Sequence, residues 1–95
     1  MASTTPMPKK FYKTMSAKQK SLLNCFTDLQ RAAIACVNNA QQTEKIFIAH
    51  AQKILHKLRL ESALIELQQI LQISRPSRRA DKLLTLGVRL KTGSF

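Results

Sequence analysis

Apolar positions along this chain fall into helical stripes, and the central stripe changes face. Leu22, Cys25, Phe26, Leu29, Ala32, Ala33, Cys36, Val37 and Ala40 gather on one side of a helix when each residue is turned by about 100°. Lys20, Asn24, Thr27, Arg31 and Asn38 fall opposite. Ser16-Ala17-Lys18-Gln19 precedes the stripe and fits a capping box, in which a hydroxyl and a Gln amide satisfy free backbone N–H groups. The pattern predicts a helix over residues 16–38. Asn38 to Thr43 then reads as a turn, because Asn tolerates the left-handed conformation that closes helices. Thr43 is the expected N-cap of the next helix, with Glu44 favourable in its first turn.

Residues 44–73 carry two stripes. Phe47, Ile48, Ala51, Ile54, Leu55 and Leu58 share one side, while Leu60, Ala63, Leu64, Leu67, Ile70 and Leu71 share roughly the opposite one. A single helix has one buried side. The switch at Leu58-Arg59-Leu60 therefore predicts either a break near residue 59 or two partners. The first stripe is expected to pack on the preceding helix as an antiparallel hairpin. The second contains Leu60-Leu64-Leu67-Leu71, a heptad-like seam. These side chains need a cover, since each is worth about 1.5–3 kcal/mol when buried. The C-terminal segment, a second copy of the chain or a helical partner can supply it. A homodimer or partner helix at the seam is the expectation.

Arg75 is held out of helical geometry by Pro76. Ser77 then reads as the cap of a short helix over residues 78–86, with Gly87 as its stop. Pro6 and Pro8 oppose a helix at the other end. The expected organisation is all-α: a flexible basic arm over 1–15, one helical domain over 16–90 and a tail over 91–95. Apolar content of 44% suits a folded chain of this kind.

Charge narrows the function. Sixteen Lys and Arg oppose five acids, a net charge of +11. Residues 1–20 hold +5, residues 21–74 only +1, and residues 75–95 again +5. Solubility needs much less, so basic ends point to a polyanion. Arg75, Arg78, Arg79 and Lys82 form the densest cluster. Arg suits bidentate phosphate contact, and positive charge in a first helical turn opposes the helix dipole, so stability alone does not select it there. Lys9, Lys10 and Lys13 interleave with Phe11 and Tyr12, a pattern that neutralises phosphates and stacks on bases. Lys53 and Lys57 make a smaller patch one turn apart. The leading expectation is nucleic-acid binding without strong sequence specificity, RNA before DNA, through phosphate contacts. A helical interaction subunit assembling through Leu60, Leu64, Leu67 and Leu71 is the alternative. Membrane-surface binding through Lys9 to Lys13 is a third class.

Catalytic chemistry finds no support in the spacing. Gly87 and Gly93 are the only glycines, so no phosphate-cradling loop is present. His50 and His56 are six apart, which is not the i,i+4 spacing of a helical metal pair. Cys25 and Cys36 lie three turns apart, roughly 16 Å along one helix, too far for a disulfide. They read as thiols filling small core spaces. No enzyme, cofactor or metal is expected. No run of 18 apolar residues exists to span a membrane, and no apolar segment follows the basic start. Two Cys without a secretory signal fit a reducing compartment, so an intracellular site, cytoplasmic or nuclear, is the expectation.

Overall fold

The computed structural model describes residues 16–93. The arm expected over residues 1–15, with Lys9, Lys10 and Lys13, lies outside them, as do residues 94–95. Among the described residues four helices follow one another: α1 (Ala17–Val37), α2 (Gln41–Lys57), α3 (Glu61–Leu71) and α4 (Pro76–Lys91). The all-α hairpin with an added helix is what forms, and the central helix does break near residue 59.

Two turns of the same geometry make the hairpin and the break. Asn39 and Arg59 both adopt the left-handed conformation, at φ 59° and 58°. The Ala40 N–H donates to the Ala35 carbonyl at 2.8 Å and the Asn39 N–H to Cys36 at 3.2 Å. The Leu60 N–H donates to Leu55 at 3.0 Å and the Arg59 N–H to His56 at 3.1 Å. Both are Schellman motifs, which satisfy the last carbonyls of a helix. Each also starts the next helix at once, since the Ala40 and Leu60 carbonyls accept from the Glu44 and Leu64 N–H groups at 2.9 and 3.1 Å. Thr43 is therefore inside α2, not its cap; the N-cap is Ala40, without a side-chain bond.

The ends of α1 and α4 tell two stories. At α1, the Ser16 Oγ accepts from the Gln19 N–H at 3.1 Å, and the Gln19 amide oxygen accepts from the Ser16 N–H at 2.9 Å. The capping box holds. At α4, Ser77 is not the cap. Arg75 is the N-cap and Pro76 takes the first helical position, where a missing N–H costs nothing. Nor does Gly87 stop the helix, which runs on to Lys91. The stop is Gly93, in the left-handed region at φ 78°. Gly87 instead lets α4 approach α1: a Cβ there would lie 3.1 Å from the Phe26 ring and 3.6 Å from Leu29 Cβ.

The helices form an up-down-up-down bundle. α1 packs on α2 along one side and on α4 along the other, and α3 closes the ring between α2 and α4. Leu29, Leu55, Leu67, Leu83, Leu86 and Leu90 are fully buried at its centre. The seam expected to need a partner finds it within the chain. Leu67 is buried, and Leu60, Leu64 and Leu71 are half-buried against the same core. The change of face that a straight helix cannot accommodate is absorbed by the turn at Arg59. The turn swings α3 back so that its stripe meets α2 and α4. No described helix is long and apolar enough to cross a membrane.

Candidate nucleic-acid interface

Two basic surfaces emerge, on opposite sides of the ring. The first lies along the groove between α1 and α2. Lys20, Asn24, Thr27 and Arg31 fall within about 60° of one another around α1 and face outward beside α2. Across the groove stand His50 and Lys53, and Lys57 follows one turn later. Asn24, Thr27, Asp28, Arg31, His50, Lys53 and Ile54 line a shallow cleft of about 580 Å³. The Arg31 guanidinium sits over the Phe47 ring, 5.6 Å from its centroid. The same ring meets His50 edge-on at 6.2 Å. Asp28 is the one acid lining this cleft. Partial burial pushes its carboxyl above the ordinary range, against the smaller opposing pull of His50 and Arg31.

The second surface lies at the start of α4 and along its groove with α3. Arg75, Arg78 and Lys82 are exposed there. Lys82 lines a cleft with Glu66, Gln69, Ile70 and Ile73. Arg89, further along α4, pairs with Glu66 at 2.7 Å. Arg79 differs from its neighbours. Its Nε donates to Glu44 Oε2 at 2.8 Å, one terminal nitrogen to Glu44 Oε1 at 3.3 Å, and the other to the Ile73 carbonyl at 2.8 Å. The Arg79 side chain is only 18% exposed and that of Glu44 8%. Arg79 thus ties the starts of α2 and α4 to the end of α3. The hydrogen bond to Glu44 holds the guanidinium pKa above its usual value. Sequence reasoning placed Arg79 in the phosphate cluster. Its position in the bundle gives it a structural task.

The fold does not bring all the candidate bases together. Lys53 and Lys57 lie on the α1/α2 side, while Arg75, Arg78 and Lys82 lie on the α3/α4 side. Arg31, His50 and Lys20 were not singled out from the sequence. The signal was there in part, because Lys20, Asn24, Thr27 and Arg31 stand opposite the apolar stripe. Only the hairpin register sets Arg31 beside His50 and Lys53. Arg79 and Arg89 take up Glu44 and Glu66, which leaves Asp28, Glu61 and Asp81 to offset the other eleven described bases.

Both thiols are buried, at 0% and 2% exposure. Cys25 donates weakly to the Ala51 carbonyl at 3.8 Å and Cys36 to the Pro76 carbonyl at 3.2 Å. Burial, with help from Asp28, pushes the Cys25 pKa up to about 12, and burial raises Cys36 as well. Neither is poised as a nucleophile. Among the described residues no His, Cys, Asp or Glu side chains gather into a metal-binding group. No protein-family model matches the chain, and no curated protein or solved structure is detectably similar to it.

Proposed function

We propose that this protein binds nucleic acid, RNA in preference to DNA, through phosphate contacts and without strong sequence specificity. The observation that carries the reading is the α1/α2 face. Arg31, Lys53 and Lys57 stand beside Asn24 and Thr27 on a surface whose cleft holds a single acid. Two rigid antiparallel helices present these groups at fixed spacing. Such a surface suits a phosphate backbone, whose charges repeat regularly, better than base edges, which need a protruding element to enter a groove. Arg31, Lys53 and Lys57 neutralise phosphates, and Asn24 donates hydrogen bonds to them. Arg75, Arg78 and Lys82 supply a second contact on the opposite side. Duplex RNA is commonly recognised by shape and backbone in this way. The protein is a binder, not a catalyst, and acts inside the cell, in cytoplasm or nucleus.

The test is fluorescence anisotropy with single-stranded RNA, double-stranded RNA and double-stranded DNA at several salt concentrations. Binding should weaken steeply with salt, with a log–log slope near −0.9 per phosphate neutralised on a duplex. Replacing Arg31, Lys53 and Lys57 by Ser should flatten that slope by about three units. Replacing Arg75, Arg78 and Lys82 reports the share of the second surface. Absence of salt-dependent binding to any of the three ligands refutes the reading.

A further inference from the structure

The α1/α2 cleft holds one group that a phosphate backbone does not explain. Asp28 is half-buried there, one helical turn from Asn24 on one side and from Arg31 on the other. A carboxylate repels phosphate, so a surface built only for a backbone has no use for it. Three of the described acids, Asp28, Glu44 and Glu66, are drawn into the fold. Glu44 and Glu66 are each met by an arginine. Asp28 is not. Among the described residues none gives its oxygens a hydrogen bond or an ion pair, although Arg31 and His50 lie near enough to attract its charge. Burial raises its carboxyl above the ordinary range, so the charged form is kept in the cleft at a cost to the fold.

The groups around Asp28 indicate what completes it. An ionised carboxylate only accepts hydrogen bonds, through two oxygens side by side. Among the nucleobases guanine alone offers two adjacent N–H donors on its pairing edge, N1–H and the exocyclic amine. Adenine and cytosine each set an amine beside an acceptor nitrogen, which a carboxylate repels. Uracil has one N–H between two carbonyls. The cleft also supplies flat surfaces. Arg31 is exposed, and one face of its guanidinium lies over the Phe47 ring at 5.6 Å, which leaves the other face for a base. His50 lines the facing wall, with Ile54 as an apolar contact. Guanidinium and aromatic planes stack on bases that have left their strand. Such a base enters a cleft without any element protruding to meet it. Lys53, at the rim of the same cleft, and Lys57, one turn further on, take the flanking phosphates.

We infer that the α1/α2 cleft takes one unpaired guanine of an RNA, with the Asp28 carboxylate accepting from its N1–H and exocyclic amine and Arg31 stacking on its face. The inference rests on the RNA-binding reading and adds a preference at a single nucleotide to it. The test is fluorescence anisotropy of the full chain with short oligouridine strands that carry one central guanine, adenine or cytosine. The guanine strand should bind about fivefold or more tightly than the other two, the low end for a bidentate base contact. A central 7-deazaguanine, which keeps both donors, should bind as guanine does. Inosine stacks similarly but lacks the exocyclic amine, and should lose most of the preference. Asp28→Asn should abolish the preference while binding the adenine strand at least as tightly as wild type, because a charge that repels phosphate is gone. A purely structural Asp28 would change stability and leave the base ratio alone. Equal binding of the three strands, or a preference that survives Asp28→Asn, overturns the inference and leaves the phosphate reading standing. Binding confined to duplexes does the same. Absence of binding to every strand and duplex overturns both.

Discussion

Replacing Arg79 by Met removes a forked ion pair and a helix-end hydrogen bond in one step. The Arg79 guanidinium makes bonds of 2.8 and 3.3 Å to Glu44 and one of 2.8 Å to the Ile73 carbonyl. Glu44 itself is 6% exposed, so it is left charged in a nearly dry site. Stranding one partner of a buried pair costs about 3–5 kcal/mol. The pair is partly open to water, with side chains 18% and 8% exposed, so the lower end, about 3 kcal/mol, is the expected loss. With a urea slope of about 1–2 kcal/mol per molar, the midpoint should fall by about 1.5–3 M. Replacing Glu44 and Arg79 together by Met should recover most of that, to within about 1 kcal/mol of wild type, because no charge is stranded. Arg79→Lys keeps the charge and loses the fork, an expected cost of about 1–2 kcal/mol. Under native conditions Arg79→Lys should leave RNA affinity within about twofold of wild type, while Arg78→Ser lowers it. A loss below about 1 kcal/mol for Arg79→Met, or a double variant as unstable as that single one, would refute the structural role of the pair.

Further outcomes follow from other positions. Arg59→Gly should raise stability by up to about 1 kcal/mol in urea melts, since an L side chain at φ 58° costs about 1–2 kcal/mol and Gly gives back part of that in unfolded-state entropy; Arg59→Val should lower it. Gly87→Leu should destabilise by about 1–3 kcal/mol or more, because even a Cβ meets the Phe26 ring at 3.1 Å; a neutral result would show that α1 and α4 do not approach closely. Leu67→Ala should cost about 2–5 kcal/mol at any protein concentration, and a loss that fades as the protein is concentrated would place Leu67 at an interface between copies instead. Asp28→Asn should stabilise the protein at neutral pH. Burial raises the Asp28 carboxyl above 3.8, so its contribution is fully present below that value and is lost as pH rises through the raised one. The variant should lose this acid-side gain, and urea midpoints at acidic and neutral pH that move in parallel with wild type would refute it.

Local signals in the chain are strong where the chemistry is local. Ser16 and Gln19 need only each other and the backbone to cap α1. Asn39 needs only its tolerance of positive φ to close the first turn. The stripes set four amphipathic faces, and the reversal around Arg59 announces that one straight helix cannot serve both. Where a cue acts through distant partners, the bundle decides. Gly87 reads as a helix stop from its neighbours, but a glycine serves a left-handed turn or a close approach equally well. Phe26, sixty-one residues earlier, selects the second use. Ser77 loses the cap to Arg75 because Pro76 already fits the first helical position. The leucines of residues 60–71 read as a seam in search of a partner, since burial demands a cover without naming it. α2 and α4 provide that cover once the turn at Arg59 folds α3 back. Charge shows the same division. The excess of bases follows from composition. Its sorting into two opposite faces, with Arg79 withdrawn to hold Glu44, depends on distances across the fold. Helical periodicity records the angle of a side chain about its own axis, and only packing records which helix lies on that side.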